Sequence, residues 1–311
     1  MESLKIFSGR ANQELAAQIA KQLNTELGKI TIRDFADSEI FVQVNENVRG
    51  KDAFVIQPTC NPGNFNIMEL LIITDALRRS SAKRITLVVP YFGYARQDRK
   101  DKPHVPVTSK LVANLMVAAG ANRILTMDLH ADQIQGFFDI PVDHLFAAPV
   151  FKRYFKEEIK LQDFVIVSPD VGAVFRSRYF AKQLDTEIAI IDKRRPEHNV
   201  SEVMHIIGNV KDKNAILLDD IADTAGTLCN AAKALKDQGA RDVYACITHP
   251  VLSGNAYEKI EKSVIKQLIT TDTIPLKKES EKIKVISVSK LFADAIYYIH
   301  MEKSLGELFL E

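Results

Sequence analysis

Short runs of aliphatic and β-branched residues alternate along this chain with longer stretches in which apolar positions recur at helical spacing. LKIFSG (4–9) predicts a strand, about Asn12 to Leu27 a helix, AFVIQP (53–58) a strand, Asn64 to Arg79 a helix and ITLVVP (85–90) a strand. The alternation continues with a helix over Thr108 to Ala119 and strands at RILTMD (123–128), FVIVSPD (164–170), EIAIID (187–192), AILLDD (215–220) and DVYACIT (242–248). Helices are predicted through Arg176 and Lys182, from Ala225 to Gln238, and from Lys290 to Lys303. Strands this uniformly apolar are buried on both faces, which implies an α/β fold with mostly parallel sheets flanked by helices.

A length of 311 residues predicts two domains. Each half repeats, incompletely, a helix, a polar turn and an apolar strand ending in a polar or acidic loop, so a tandem α/β pair is expected. Pro141 and Pro149 bracket a short segment before a new helix, and the boundary is placed there, giving 1–146 and 147–311. The last helix could pack on either half.

Composition narrows the classes. Hydrophobic residues make up 46% and charged residues 26%, and Lys+Arg 41 against Asp+Glu 40 leaves a formal charge of +1, which disfavours disorder and a generally basic nucleic-acid surface. Cys60, Cys229 and Cys246 form no CxxC pair and are odd in number, so neither a disulfide framework nor a zinc knuckle is suggested. The N-terminus lacks a basic region followed by an apolar stretch, and no apolar run approaches the ~18 residues of a membrane span. A soluble, cytoplasmic protein is expected.

In open parallel sheets, ligands bind beyond the carboxyl ends of the strands. The segment AILLDDIADTAGTL (215–228) reads as a strand running into two carboxylates and then a small-residue loop that opens a helix. Backbone N–H groups and hydroxyls of Asp223, Thr224, Ala225, Gly226 and Thr227 can surround a phosphate there. Asp219 and Asp220, acceptors when ionised, suit a vicinal diol or a metal-bound water. The plainer alternative is a helix capped by Asp223 or Thr224. Elsewhere, Arg96, Arg99, Lys100 and Lys102 stand in a polar loop able to close over a polyphosphate, or in a merely solvated one. His130 and Asp170 each follow an apolar strand, and Lys193, Arg194 and Arg195 form a cationic strand end.

LLDDIADTAGT resembles the phosphoribosyl-diphosphate motif shared by type I phosphoribosyltransferases and ribose-phosphate diphosphokinases. PYFGYARQDRK (90–100), MDLHADQIQGFFDIPVD (127–143), SPDVGAVFRSR (168–178) and IIDKRRP (190–196) are similar to the class I diphosphokinases, and the likeness runs over essentially the full length. It implies two tandem phosphoribosyltransferase-like domains, an ATP-site half and a ribose 5-phosphate half. It further implies Mg²⁺-dependent transfer of the diphosphoryl group of ATP to the 1-hydroxyl of ribose 5-phosphate, giving phosphoribosyl diphosphate and AMP.

By the same resemblance Lys193 is the catalytic lysine, and Arg195 contacts the ribose phosphate and serves the transition state. Phe35, Asp37, Ser38 and Glu39 form the nucleotide-base loop, Arg96 and Gln97 bind ATP, and His130 with Asp170 hold Mg²⁺. The 219–227 segment holds ribose 5-phosphate. The family's hexamer, in which the base loop reaches a neighbouring subunit, and its phosphate and ADP effectors are implied as well. Membrane and nucleic-acid partners are not. A phosphoribosyltransferase would share the 223–227 loop but leaves ARQD, the mobile loop and DKRR unexplained. A non-catalytic homologue within a synthase assembly is opposed by retention of Lys193, Arg195, His130 and Asp170.

Four positions depart from the family pattern: Asn47 for serine, Phe65 for an acid, and Ser38 and Ala173 for glycines. Ser38 would be strained if the family glycine uses a positive φ. The resemblance implies a regulatory phosphate site around Arg49, Ser80 and Ser81, and Asn47 and Phe65 make phosphate activation and ADP inhibition the least transferable of its implications.

Overall fold

The computed structural model describes residues 3–194 and 203–309. The chain forms two units, one of Met1–Phe146, Thr273–Pro275 and Ser287–Glu311, the other of Ala147–Asp272 and Leu276–Ile286. Among the described residues no helix is long and apolar enough to cross a membrane.

The first unit contains β1 (Leu4–Ser8), α1 (Gln13–Gln22), a hairpin of β2 (Ile30–Asp34) and β3 (Ile40–Val44), β4 (Asp52–Ile56), α2 (Gly63–Arg79), β5 (Arg84–Val89), α3 (Thr108–Ala119), β6 (Arg123–Met127) and β7 (Val142–Leu145). The second contains α4 (Ala148–Tyr154), β8 (Phe164–Ser168), α5 (Val174–Gln183), β9 (Glu187–Arg194), β10 (Val203–Ile207), β11 (Asn214–Ala222), α6 (Gly226–Asp237), β12 (Val243–Pro250), α7 (Ala256–Lys262), β13 (Ile265–Thr271) and β14 (Ile283–Ile286). The chain then returns to the first unit as α8 (Ser289–His300).

The first unit's sheet has the order β1-β4-β5-β6-β7, all parallel; the second's is β10-β9-β8-β11-β12-β13-β14, parallel except for β10 against β9. The apolar strands predicted from sequence are therefore mostly parallel and buried. Phe7, Val55, Leu70, Leu87 and Ile124 are among the core of the first unit, and Val167, Ala189, Leu217, Ala245 and Leu268 among that of the second.

Several element ends differ from the sequence expectation, among them those of the first helix and of the 215–220 strand. The first helix stops at Gln22 rather than near Leu27, because Asn24 adopts φ +52° and the Thr25 N–H closes back on the Ala20 carbonyl at 3.0 Å. The strand expected at 215–220 extends to Ala222, held on its far side by β12, where Ala222 pairs with Pro250.

In the first unit, α8 packs along α1 and is latched at its C-terminal end. Asp52, at the start of β4, receives Arg84 Nε at 2.8 Å and lies 2.8 Å from His300 Nδ1, while Arg84 Nη2 donates to the Ile299 carbonyl at 3.0 Å. A second polar knot fixes the β2–β3 hairpin. The fully buried Glu69 of α2 accepts from Arg10 Nε at 2.5 Å, from the Arg10 backbone N–H at 2.6 Å and from Gln57 Nε2 at 3.0 Å. The same guanidinium donates twice to Asp34, at 3.0 and 2.7 Å, on the strand that leads into the hairpin turn. Replacing one member of a buried pair leaves the other charge without compensation. Arg10→Met is therefore expected to lower the unfolding free energy by about 3 kcal/mol, measured by denaturant titration, whereas Arg79→Met, whose exposed i,i+4 pair with Asp75 is solvent-screened, changes it little.

Candidate active site

Strand order in the second sheet reverses between β8 and β11: from β8 the chain moves outward to β9 and β10, and from β11 it moves the other way through β12 to β14. Such a switch point leaves a crevice at the carboxyl edge, because the two outgoing loops diverge. β8 pairs with β11 only as far as Val167 with Leu217, so Leu218 to Ala222 continue without β8 beside them. Asp219 and Asp220 occupy this overhang. They are strand residues, as expected, though the strand runs two residues past them, and Asp220 is buried.

Arg176 of α5 neutralises the pair, with Nη1 at 3.2 Å from Asp220 Oδ1. The Asp220 backbone N–H donates to Asp219 Oδ1 at 2.9 Å. Burial, followed by the neighbouring Asp220 charge, pushes the Asp219 carboxyl up to about 8. The two carboxyls are therefore not equivalent: burial and the adjacent Asp220 charge favour the neutral form of Asp219.

After Ala222 the chain turns into α6 through a residue in the left-handed region, Ala225 at φ +56°. No side chain caps the helix, and its first turn holds no acid. Ala225, rather than Asp223 or Thr224, stands at the cap position, and the Asp223 carboxylate accepts from Ser253 Oγ. A helix N-terminus reached through a small-residue turn presents N–H groups and positive dipole to an anion.

The remaining expected residues of this unit lie at the same edge. Asp170 follows β8, exposed, with Oδ1 accepting from the Ala173 N–H at 2.9 Å. Lys193 stands near the end of β9, past Ile190, which pairs with Ser168, and opposite Met204 of β10. The parallel strands β8, β9 and β11 thus bring Asp170, the Lys193 backbone and the 219–227 segment to one sheet edge. Arg195 lies outside the described residues.

In the first unit, the loop carrying Arg96 and Gln97 leaves β5 and the loop carrying His130 leaves β6, neighbouring parallel strands. Gln97 is tied to the start of α3, accepting from Thr108 Oγ1 at 2.6 Å through Oε1 and from Ser109 Oγ at 3.1 Å through its carbonyl. Arg96 and His130 are exposed. Gly93 in this loop passes so close to β4 that a Cβ would sit 2.3 Å from the Thr59 carbonyl oxygen, while its N–H donates to Thr59 Oγ1 at 2.6 Å.

Phe35 to Glu39 form the exposed turn between β2 and β3. The Glu39 N–H donates to Asp37 Oδ1 at 3.1 Å, and Phe35 meets Phe41 edge-on with ring centroids 5.8 Å apart. Arg33 lies over both rings, at 5.1 and 4.6 Å.

The structure gives each departure from the family pattern a physical meaning. Ser38 does occupy the left-handed region, at φ +72°, so its Cβ is strained there. Ala173 sits at φ −86° and carries no such strain. Phe65 lies 4.9 Å from the Arg10 guanidinium as a cation–π partner, and the Asn47 carboxamide accepts from the Arg49 N–H at 3.0 Å.

Among the described residues no three His, Cys, Asp or Glu side chains converge as a metal cluster. His130 and Asp170 offer a single exposed donor from each unit. An imidazole nitrogen and a carboxylate are each donors that a divalent cation can take beside water.

Three residues of the second unit went unrecognised in the sequence as site residues: Arg176, Ser253 and Lys259. The last donates to the Thr224 carbonyl at 3.0 Å. Only Arg176 left a signal, since it falls within SPDVGAVFRSR.

Carboxylates on a strand overhang, followed by a helix N-terminus at a switch point, form the candidate site of the second unit. Residues 4–120 match the model of the N-terminal domain of ribose phosphate pyrophosphokinase, and residues 196–310 match a phosphoribosyl synthetase-associated domain. The chain is 56% identical over 310 residues to the ribose-phosphate pyrophosphokinase of Fusobacterium nucleatum, covering 99% of this chain and 98% of that protein. It is 56% identical to that of Campylobacter jejuni, covering 100% of both. The crystal structure of phosphoribosylpyrophosphate synthetase from Mycobacterium smegmatis superposes with a TM-score of 0.91 at 42% identity, covering 96% of this chain and 99% of that one. The chain belongs to the ribose-phosphate pyrophosphokinase family and is an enzyme of that family.

The raised Asp219 carboxyl has a consequence for stability. In the unfolded chain it ionises near pH 4, in the folded one near pH 8. Across that window the folded state binds more protons, so this group's contribution to stability falls as pH rises. Asp219→Asn, which cannot ionise, should match the parent's unfolding midpoint at pH 3.5 and exceed it at pH 8.5, by on the order of a few kcal/mol, in parallel thermal melts.

Proposed function

We propose that this enzyme transfers the β,γ-diphosphoryl group of Mg·ATP to the anomeric hydroxyl of ribose 5-phosphate, forming 5-phosphoribosyl 1-diphosphate and AMP. The observation that carries this reading is the 219–227 segment at the switch point, where a strand-end carboxylate pair leads into a helix N-terminus, an arrangement that supports a diol and a phosphate as ligands. In the reaction the 1-hydroxyl oxygen attacks the β-phosphorus, the bond to the α-phosphate oxygen breaks, AMP leaves and the hydroxyl proton is released. No covalent enzyme intermediate is needed, because positioning and charge stabilisation supply the acceleration.

Asp223 to Thr227 hold the 5-phosphate through backbone N–H groups and hydroxyls. Asp219 and Asp220, the latter paired with Arg176, hold the ribose hydroxyls and fix the ring. Lys193 and Arg195 neutralise charge on the transferring group, with Arg195 also contacting the sugar phosphate. Phe35 offers an aromatic face to the base, Asp37 and Glu39 accept its amino hydrogens, Ser38 shapes the turn, and Arg96 with Gln97 bind the nucleotide. His130 and Asp170 are the protein ligands for Mg²⁺, which supplies charge neutralisation to the polyphosphate. A homohexameric cytoplasmic enzyme, with phosphate and ADP as effectors, completes the proposal.

Purified protein given Mg·ATP and ribose 5-phosphate should release AMP and an acid-labile diphosphate ester in equal amounts. ADP in place of AMP, or no product across a range of phosphate concentrations, would overturn the reading. Lys193→Ala is expected to lower kcat by about 10³-fold with the melting temperature and ATP affinity retained; near-normal turnover would remove Lys193 from its role.

A further inference from the structure

The segment between β12 and the end of α7 lies behind the sugar-phosphate loop and contacts it one residue after another. The Leu252 N–H donates to the Ala222 carbonyl at 3.0 Å, the Ser253 N–H to the Asp223 carbonyl at 3.0 Å, and Lys259 Nζ to the Thr224 carbonyl at 3.0 Å. Ser253 Oγ adds a bond to the Asp223 carboxylate. Three successive carbonyls are thus drawn to one side. In a planar trans peptide the N–H points opposite to the C=O, so the amides of Asp223, Thr224 and Ala225 face away from this segment.

Lys259 holds the most demanding of these positions. The peptide it grips, Thr224–Ala225, leads into the left-handed Ala225, a conformation unfavourable for a residue with a Cβ. Its ammonium also lies 3.7 Å from the point where a Cβ on Gly226 would sit, so a fixed positive charge stands at the N-terminus of α6. A charge-assisted bond from a cation to a carbonyl is stronger than a neutral one, and it holds the turn before any ligand arrives.

We propose that Lys259, assisted by Ser253, is a positioning residue for ribose 5-phosphate: it braces the Thr224–Gly226 backbone in the form that receives the 5-phosphate and thereby sets affinity for the sugar phosphate rather than the rate of diphosphoryl transfer. The inference rests on the reading of 223–227 as the ribose 5-phosphate loop.

The test compares Lys259→Met, Lys259→Arg and Ser253→Ala with the parent enzyme by steady-state kinetics, by calorimetric binding of ribose 5-phosphate, and by amide hydrogen exchange. Lys259→Met should raise the KM for ribose 5-phosphate and weaken its binding by about 10-fold, with kcat and the KM for ATP within about 2-fold of the parent. Lys259→Arg should restore most of the affinity, and Ser253→Ala should show a smaller change in the same direction. Exchange should quicken at the amides of residues 224–228 in Lys259→Met, and not in α1. Unchanged affinity for ribose 5-phosphate in Lys259→Met, or equal rises in both KM values with a lowered melting temperature, overturns the proposal. A parent enzyme that does not bind ribose 5-phosphate, alongside a variant whose loop exchanges faster, overturns the assigned ligand and leaves the brace standing.

Discussion

The second unit's chemistry depends on where two parallel strands stop pairing. β8 accompanies β11 only to Leu217, and the strand then runs alone on that side as far as Ala222. Full pairing would have satisfied the backbone but buried the edge under a neighbouring strand and its loop. The shortfall lets two consecutive carboxylates stand beside a crevice while β12, on the other side, keeps the backbone straight. Carboxylates so placed repel each other in a poorly solvated setting, and two responses follow: Arg176 compensates Asp220, and the neutral form of Asp219 is favoured. The overhang, the ion pair and the shifted acid are one feature seen at three levels.

The same logic governs the turn that follows. A helix start with a capping side chain would satisfy its own N–H groups and offer less to a ligand. Here Asp223 is engaged by Ser253, and a left-handed alanine stands at the cap position, so the form of the turn is a property of the fold. Strain of this kind persists where surrounding contacts over-determine the backbone, and the carbonyls of 222–224 are held in that way. The Ser38 turn presents the same backbone conformation without an equivalent brace behind it, although its Phe35 carbonyl and Ser38 N–H close the turn at 2.9 Å.

Much of this architecture was legible in the alternation of apolar strands and amphipathic helices, because parallel strands buried on both faces leave an unbroken hydrophobic signature. α3 was read at both ends, since Gly120 at φ +122° closes it cleanly. The end of α1 was not, because residues 23–27 are compatible with a helix and the left-handed Asn24 is decided by tertiary context. The strand over Asp219 and Asp220 was read, but its continuation through Ile221 and Ala222 was not, because only pairing to His249 and Pro250 keeps those residues extended. Within the candidate site, residues adjacent to a strand end could be found from sequence. Lys259 and Ser253 could not, since they lie some thirty residues beyond the loop they hold and carry no local motif. Arg176 was visible as part of a segment, but its partner was not.

The C-terminal helix carries an implication for biosynthesis. α8 belongs to the first unit, along α1, with His300 and the Ile299 carbonyl tied to Asp52 and Arg84. The second unit is complete once Ile286 has emerged, whereas the first, although its sheet is translated before that of the second, lacks its closing helix until α8 has followed. During synthesis the surface of α1 that α8 will cover, together with a half-compensated Asp52, stays open to solvent and to chaperones. The part of the chain made first is therefore the last to mature.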